Sequence, residues 1–520
     1  MRKENFEFIR YIENEKDARW ADPEEIKRMS NSPFAPITMI NVETEECEKA
    51  GLPVISDGRT VYVDGSDTHS IIFGATGSKK TRLFAMPLIN MFALTGESFI
   101  VTDPKGELYD KTSGLVKGKG YETIVLNFRE LDKSDYWNPL DIPYKEYHKG
   151  NKEEATSMIN DFINALAAIQ REGTKDRYFI DLAYSQALAN LLFFIETATP
   201  EENNIYNFTE FFFSKSTPEG TRELVNHTSA SSIASLNFNM VLTNEKVVTT
   251  FANVTSCVAI MLNPFIVRKS LCQVLSKSSF DINELSRKKI AVYIIVPDEK
   301  TTLHFLITAF IKQVYESLIN EAQKQDDKKL PIRVNFLLDE FCNIPKIEDM
   351  PSMISAARSR NMRFFLVAQS LFQLKQKYGE DAHTIKGNCE NWVFLTSREV
   401  ELLEEISKLC GSTRNNLPLI STSELQRLSK EKGEVLILQG RNYPFVTELP
   451  DIDDYKFKSY SSEKLKARSF PQIEKYDVNK VIAEIKDSKR PLPFSVEVYG
   501  EEKFIGKISD KSGKKSIFDW

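Results

Sequence analysis

Residues 69–92 have the sequence HSIIFGATGSKKTRLFAMPLINMF, in which a short apolar run, a Gly/Ser/Lys loop and a helical pattern follow one another directly. A strand, a glycine-rich loop and a helix in this order form the local context of a phosphate-binding loop. The backbone N–H groups of such a loop point at a phosphate, a lysine reaches the outer phosphates and a hydroxyl ligates Mg²⁺. The sequence therefore predicts a nucleotide-binding loop over residues 74–81.

The predicted loop, GATGSKKT, departs from the usual pattern GxxxxGK[ST] at its sixth position, where Lys79 replaces glycine. A side chain there can clash with the tight backbone path, although Gly77 remains and a second cation near phosphates is electrostatically favourable. Three interpretations stay open: a tolerated variant with slower turnover, a nucleotide site impaired in hydrolysis, or a lost site. The candidate nucleotide-binding residues are Gly74, Ala75, Thr76, Gly77, Ser78, Lys79, Lys80 and Thr81.

Short apolar runs recur on both sides of the loop. They are continuous rather than alternating, which is typical of strands covered on both faces. Helical patterns over 80–94, 303–324 and 399–410 separate several of them, which favours βαβ units and an α/β fold with a mainly parallel sheet. The predicted strands are 69–74, 98–103, 123–128, 290–298, 334–340, 364–370, 391–397 and 434–440.

Polar residues follow two of these runs, at the edge of the sheet where ligands bind in open α/β folds. Asp339 and Glu340 end one strand, where an aspartate can hold Mg²⁺ and the adjoining glutamate can deprotonate water. Gln369 ends the next strand, where its amide could sense the outer phosphate and report it to a DNA-binding loop. The simpler alternative is that these residues cap their strands and face solvent.

The segment AARSRNMR, residues 356–363, supplies three arginines ahead of the strand that Gln369 ends. Arg358, Arg360 and Arg363 could act as an arginine finger on a neighbouring subunit's nucleotide or contact a phosphate backbone. A charge run of this kind is more often simply solvated.

Length and composition limit the remaining possibilities. The chain has 520 residues, too many for one hydrophobic core, and is 41% apolar with a net charge of −6. Any nucleic-acid site must therefore be a local groove rather than a whole-chain polycation. The six cysteines form no CxxC pair, which predicts buried reduced thiols, and the five histidines form no close metal-ligand pattern.

Changes in charge and in the periodicity of apolar residues along the chain predict the domain organisation. Residues 1–60 are charged and irregular, which indicates an N-terminal extension that ends in a hairpin near residues 60–64. Residues 61–150 and 246–450 carry the strands, residues 151–245 become helical, and residues 451–520 form a charged C-terminal tail with one helix candidate at 478–487. The longest apolar stretches noted, 84–94 and 303–311, are too short to span a bilayer, so we expect no transmembrane helix.

Together these motifs resemble the coupling-protein ATPases of type IV secretion, the TraG/TraD-like conjugative DNA transfer family. The resemblance covers residues 68–450, and the order and spacing of its motifs are more specific than any one of them. The motifs are GATGSKKTR, TDPKGELYD (102–110), YWNPLD (136–141), SKSSFDINEL (276–285), AVYIIVPDE (291–299), FLLDEFCNIPKI (336–347) and SRNMRFFLVAQSLFQL (359–374).

The resemblance implies a RecA-like P-loop NTPase domain with an inserted all-alpha domain, for which residues 151–245 are suited. It implies that Lys80 and Thr81 bind ATP and Mg²⁺, that Asp339 holds Mg²⁺, that Glu340 activates water and that Gln369 couples hydrolysis to DNA. It also implies a hexameric ring at the cytoplasmic side of the membrane, which binds DNA and a relaxase-bound substrate and passes them to the secretion channel. The helical domain would recognise cargo.

Two departures from that family pattern leave two hypotheses. Lys79 in place of glycine puts hydrolysis in doubt. The family's membrane-spanning helices are not seen, so we expect either a naturally soluble variant or a protein that reaches the membrane through partners. The first hypothesis is an ATP-dependent coupling ATPase for DNA transfer; the second is a hydrolysis-impaired substrate receptor or scaffold. A metabolic kinase is a distant third, because the helical insertion would have no obvious role there.

Overall fold

The structure of the protein is a computed structural model that describes residues 18–29, 37–171, 177–243, 248–297, 299–413, 416–462 and 464–487. The charged N-terminal residues 1–17 and the end of the predicted tail, residues 488–520, lie outside the described residues.

A nine-stranded sheet forms the centre of the molecule, in the strand order β12-β11-β10-β4-β9-β8-β5-β7-β6. The seven strands from β10 to β6 are parallel, and β11 and β12 add an antiparallel edge. The predicted mainly parallel sheet is confirmed. The strands are β4 (Ser70–Phe73), β5 (Ser98–Asp103), β6 (Glu122–Asn127), β7 (Ile290–Ile295), β8 (Val334–Leu338), β9 (Met362–Ala368), β10 (Asn391–Phe394), β11 (Glu434–Gln439) and β12 (Phe445–Glu448).

Side chains alternate between the two faces of the sheet, and both faces are covered. In β4, Ile71 and Phe73 belong to the larger core cluster and Ile72 to the smaller one. The smaller cluster includes a wide π-type turn (Thr81–Ala85) and the helices α2 (Met86–Thr95) and α3 (Glu107–Gly118). The larger cluster is covered by α12 (His304–Gln323), α13 (Met350–Ala357), α14 (Leu371–Tyr378), α15 (Asp381–Asn388), α16 (Val400–Cys410) and α17 (Thr422–Leu425).

The N-terminal part of the chain is more regular than its composition suggested. After a short helix, α1 (Pro23–Met29), a separate antiparallel sheet has the order β1-β3-β2, with β1 (Ile37–Asn41), β2 (Leu52–Ser56) and β3 (Thr60–Asp64). The prediction of an irregular extension up to residue 60 is therefore wrong for β1 and β2. Both are short strands whose buried residues pack on the smaller core cluster, a contact that no local pattern reveals.

A run of helices lies between β6 and β7 and packs on the larger core cluster. The helical character predicted from residue 151 onward is present. The helices continue beyond residue 245, so the helical run is longer than the predicted inserted domain, whose boundaries remain a prediction. These helices are α4 (Asp141–His148), α5 (Lys152–Arg171), α6 (Tyr178–Thr197), α7 (Ile205–Lys215), α8 (Pro218–Asn226), α9 (Ile233–Leu242), α10 (Val248–Val267) and α11 (Lys269–Val274).

Two segments of this run are long and apolar enough to cross a membrane by length and composition: Tyr178–Thr197 and Thr249–Val267. The first is 72% buried inside the protein and the second 33%. The expectation that no segment reaches this length overlooked both. Core helices of soluble proteins meet the same criteria, so these two helices are weak evidence for membrane insertion.

Residues 451–487 form a C-terminal strap that packs first on the smaller core cluster and then on the larger one. Tyr455 is buried in the smaller core cluster, and the ring of Tyr460 lies so close to Gly118 that a Cβ there would be 2.3 Å from it. Farther along, Tyr476 donates to or accepts from Thr197 at 2.7 Å, and α18 (Val478–Asp487) ends the described chain. The helix predicted at 478–487 is confirmed, and the strap is packed rather than merely solvated.

Candidate functional site

The phosphate loop, residues 74–80, leaves β4 at the middle of the sheet's carboxyl edge. The Gly74 N–H donates to Ala368 O at 3.2 Å and the Ala75 N–H donates to Thr396 O at 2.8 Å, so the ends of two neighbouring strands fix the start of the loop. A Cβ on Gly74 would lie 2.4 Å from Ser78 Oγ. Glycine is therefore required at this position because the loop folds back over it.

Lys80 lies inside the loop with only 6% of its surface exposed. Its Nζ donates to Gly74 O at 2.6 Å and to Ala75 O at 3.3 Å. Burial lowers the pKa of this ammonium group, and the nearby carboxylates of Glu340 and Asp339 oppose that effect. Its hydrogen-bond partners are two carbonyl oxygens of the loop, and no carboxylate of the described residues forms an ion pair with it. The charge of Lys80 is therefore available to an anionic ligand.

Asp339 follows β8 and lies beside the helix that the loop opens. Thr81 Oγ1 donates to its Oδ2 at 3.4 Å, and Thr102 Oγ1 donates to its backbone carbonyl at 2.8 Å. Burial, followed by the charge of Glu340, raises the pKa of Asp339 to about 7. A carboxylate held in this way next to a hydroxyl is a suitable pair of oxygen ligands for Mg²⁺.

Glu340 and Gln369 are joined directly, although 29 residues separate them in the chain. Gln369 Nε2 donates to Glu340 Oε2 at 2.5 Å, and Thr76 Oγ1 donates to Gln369 Oε1 at 3.0 Å. The backbone of Glu340 adopts a left-handed φ of 55°, which is uncommon for a residue with a side chain. A hydrogen-bonded chain therefore links the phosphate loop to the carboxylate that follows Asp339.

Two buried oxygens at this edge accept or donate no hydrogen bond within the part of the chain that the structure describes. They are Ser78 Oγ and Asp103 Oδ1, whose residues are 2% and 1% exposed. The other oxygen of Asp103 accepts from Tyr109 N–H at 2.9 Å, and burial raises the pKa of this carboxyl to about 6. Buried polar atoms are normally paired, so their presence fits an edge shaped for a phosphate and a divalent cation.

Lys79 occupies the position at which glycine was expected, and its backbone takes the conformation that glycine usually supplies. Its φ is 68°, in the left-handed region, which costs a residue with a Cβ on the order of 1 kcal/mol. Its Nζ lies 3.8 Å from Asp451 at the start of the C-terminal strap. The clash considered from the sequence is avoided, because the side chain points toward the strap.

The same part of the strap also binds the π-type turn that follows the phosphate loop. Arg82 forms ion pairs with Asp451 and Asp453. Sequence reasoning missed both aspartates, because they lie 369 and 371 residues from Arg82 in the chain. The signal available was the position of two acidic residues directly after the last strand of the sheet.

The three arginines near residue 360 do not join the other candidate residues. Arg358 pairs with Glu390, and Arg360 donates to Ala356 O at 2.9 Å, both at the amino end of β9. Gln369 lies at the other end of that strand, about 20 Å away by strand geometry. Within one chain these two arginines are therefore remote from the phosphate loop, and a role on a neighbouring subunit stays a prediction.

The prediction is wrong for Arg363, which is 1% exposed and belongs to β9 rather than to the loop before it. It pairs with Glu97 at 2.9 Å and donates to Asn335 Oδ1 at 2.9 Å. A buried, paired arginine cannot serve as a finger or contact nucleic acid. An arginine inside the apolar run MRFFLVA was the sequence signal for a buried ion pair.

Across the described residues, no group of three or more His, Cys, Asp or Glu side chains is placed to hold a metal ion. All six cysteines are free; four are buried, while Cys47 and Cys257 are half-buried. A Mg²⁺ bound by one hydroxyl, one carboxylate and the phosphates of a nucleotide needs no such protein cage.

Comparison with known protein families gives a match over residues 19–435 to the family described as Type IV secretory system Conjugative DNA transfer. The chain is 25% identical over 415 residues to Protein VirD4 of Rhizobium rhizogenes, covering 73% of this chain and 57% of that protein. It is 23% identical over 433 residues to Conjugal transfer protein TraG of Escherichia coli, covering 78% and 66% respectively. The chain thus spans little more than half the length of the VirD4 relative.

Among solved structures, the chain is similar to the plasmid coupling protein TrwB in complex with the non-hydrolysable ATP analogue ADPNP. The TM-score is 0.58 with 14% identity, over 88% of this chain and 97% of that one. TrwB in complex with ADP and Mg²⁺ gives a TM-score of 0.56, also at 14% identity, over 88% and 97% of the two chains. At this identity the likeness shows the fold alone. The predicted RecA-like P-loop NTPase fold is confirmed.

Proposed function

The chain belongs to the type IV secretory system conjugative DNA transfer family, and on that premise we propose that it is a coupling ATPase that hydrolyses ATP to move DNA toward a secretion channel. One observation supports this most directly. Lys80 and Thr81 of the loop meet Asp339, Glu340 and Gln369, which come from two other strands, at one edge of the sheet.

We propose that the loop amides and Lys80 bind the phosphates of ATP. Lys80 then exchanges its bonds to the carbonyls of Gly74 and Ala75 for phosphate oxygens. Thr81 Oγ1 and the Asp339 carboxylate hold Mg²⁺, which neutralises charge on the phosphates when it is bound. The solved TrwB complexes with ADPNP and with ADP and Mg²⁺ support a nucleotide of this kind in a relative of the same fold.

Glu340 is the proposed general base. It accepts a proton from a water molecule whose oxygen attacks the terminal phosphorus, and the bond from that phosphorus to the bridging oxygen breaks to release ADP and phosphate. Gln369 lies between Thr76 of the loop and Glu340, so a change at the phosphate can alter the position of the carboxylate. We propose that this link couples hydrolysis to DNA.

The remaining assignments rest on the family. We propose a homo-hexamer at the cytoplasmic face of the membrane, reached through partners, that receives DNA and a relaxase or relaxosome and delivers them to components of the type IV secretion channel. Residues 151–245 form the proposed cargo-recognising domain. Arg358 and Arg360 are proposed to reach the nucleotide of the neighbouring subunit or the DNA backbone. Arg358 is exposed, Arg360 is half-buried, and both lie far from their own loop.

The test is ATP hydrolysis with and without single-stranded and double-stranded DNA, with mass determination under the same conditions. We expect DNA-stimulated hydrolysis that is lost by about a hundredfold or more in Lys80→Ala and Glu340→Gln. The matched control is Lys375→Ala, which changes a half-buried lysine on α14 that pairs with Glu401. Hydrolysis that survives both site changes would contradict the proposal.

The alternative, a hydrolysis-impaired receptor, has one feature in its favour, because Lys79 stands where the usual loop has glycine. Lys79→Gly separates the two. Since Lys79 already has a left-handed backbone and points toward Asp451, we expect turnover to change by less than about fivefold, which corresponds to about 1 kcal/mol. A gain in turnover far above fivefold would support the hydrolysis-impaired receptor.

A further inference from the structure

The two carboxylate oxygens of Glu340 have different surroundings. Its Oε2 accepts from Gln369 Nε2 at 2.5 Å and from Asn343 Nδ2 at 3.0 Å. Its Oε1 accepts no hydrogen bond from any residue that the structure describes. One oxygen is therefore held by two amide donors, while the other is free to accept a proton from water.

Asn343 combines a fixed backbone with an exposed side chain. Its N–H donates to Glu340 O at 2.8 Å, which closes the turn after β8. Its carbonyl oxygen lies 3.2 Å from Nδ1 of His304, a residue that is only 2% exposed. The other ring nitrogen of His304 lies 2.8 Å from Pro297 O, in the segment that follows β7.

His304 thus packs behind the turn, between carbonyl groups of the chain segments that follow two different strands. The N–H of Asn343 is bound to Glu340 O, so its amide is presented to the carboxylate without further ordering. A donor fixed in advance loses little conformational entropy when it orients a catalytic group.

We propose that Asn343 is a positioning residue for hydrolysis, which keeps Oε2 of Glu340 anchored so that Oε1 faces the attacking water. This inference rests on the proposed function of Glu340 as general base. Gln369 differs from Asn343 as a donor, because the other end of its amide is bound to Thr76 of the phosphate loop. Asn343 belongs to the same turn as Glu340, to which its own N–H donates.

The experiment compares Asn343→Ala, Asn343→Gln and the wild-type protein in DNA-stimulated ATP hydrolysis, together with nucleotide binding measured by a fluorescent ADP analogue. In Asn343→Ala we expect kcat to fall about tenfold, a fraction of what a general base contributes. We expect three quantities to stay close to wild type: the KM for ATP, the affinity for the ADP analogue and the melting temperature. The reason is that the Asn343 side chain is exposed and touches no group of the phosphate loop. Asn343→Gln keeps an amide donor and recovers most of kcat.

The matched control is Asn388→Ala, which removes an exposed amide that donates to Ser355 Oγ at 3.0 Å, beyond the sheet's other edge. It should leave all these quantities unchanged. A wild-type kcat in Asn343→Ala would overturn the inference, as would a fall in nucleotide affinity and melting temperature that accounts for the lost activity. A wild-type protein without hydrolysis would instead contradict the proposed function, and this inference with it.

Discussion

Charged side chains are buried at both ends of the strands of the nine-stranded sheet, here called the amino edge and the carboxyl edge. Within the described residues, the charges at the amino edge are neutralised by ion pairs and those at the carboxyl edge are not. At the amino edge, Arg363 pairs with Glu97 at 2.9 Å, Arg333 pairs with Asp67, and Asn335 donates to Glu97 at 2.9 Å. At the carboxyl edge, the described residues offer Lys80 only carbonyl oxygens at hydrogen-bonding distance, and burial raises the pKa of Asp339 to about 7.

The difference separates two uses of a buried charge. Arg363 of β9 and Glu97, which directly precedes β5, form an ion pair across the intervening strand β8. Both charges are therefore neutralised within the folded protein. The charges at the carboxyl edge are close together and remain poorly compensated, which is costly unless a ligand completes them. Removing a charge should therefore change the free energy of unfolding much more at the amino edge than at the carboxyl edge.

The largest expected effect on stability is at the amino edge. Arg363→Met leaves Glu97 buried beside Asn335 without its main cation, so the free energy of unfolding should fall by about 3 to 5 kcal/mol. The counterpart at the carboxyl edge, Lys80→Met, should change it by less than about 1 kcal/mol, because no paired carboxylate loses its partner. Urea and thermal unfolding of both variants measure this, and equal losses at the two edges would refute the distinction.

A second, smaller effect concerns pH at the carboxyl edge. Asp339 keeps its proton up to about pH 7 in the folded protein, whereas an ordinary aspartate loses it near pH 4. The folded state then binds more protons between these values, so the free energy of unfolding falls as pH rises from about 4 to 7. Asp339→Asn should remove this loss, which amounts to at most about 4 kcal/mol because each pKa unit corresponds to about 1.4 kcal/mol. Parallel pH profiles for the two proteins would contradict the expectation.

The smallest expected effect has the opposite sign and lies at the amino edge. Burial lowers the pKa of His69 to about 4, and its Nδ1 accepts from Phe364 N–H at 3.0 Å. The unfolded chain therefore binds a proton that the folded protein does not, and stability falls as pH drops from about 6.5 to 4. In His69→Gln this acid-side loss should be smaller by about 1 kcal/mol. Unfolding midpoints measured at pH 7 and pH 5 check it, and an unchanged difference between them would count against the assignment.

The sequence predicted the carboxyl edge much better than the amino edge, and the reason is physical. The phosphate loop and Asp339–Glu340 are each local patterns at strand ends, and parallel strands bring such ends together whatever the helices do. Gln369 was found in the same way. Its contact with Thr76 depends on the loop conformation and could not be read from spacing.

The features that sequence reasoning missed depend on distant or irregular contacts. Glu97 and Arg363 are paired across 266 residues, and Asp451 reaches Lys79 only because the strap leaves β12 beside the loop. Asn343 is exposed and meets Glu340 through the geometry of one turn. The short strands β1 and β2 are stabilised by packing on a remote core cluster, which a local pattern does not encode.

The most direct test of the central claim is calorimetric titration of the wild-type protein with the non-hydrolysable ATP analogue ADPNP, in the presence and absence of Mg²⁺. We predict binding that is strengthened by Mg²⁺ in the wild-type protein, lost in Lys80→Ala, and insensitive to Mg²⁺ in Asp339→Asn. It should be unchanged in Lys375→Ala. Absence of binding in the wild-type protein, or equal binding in Lys80→Ala, would show that the unpaired charges of the carboxyl edge do not form a nucleotide site.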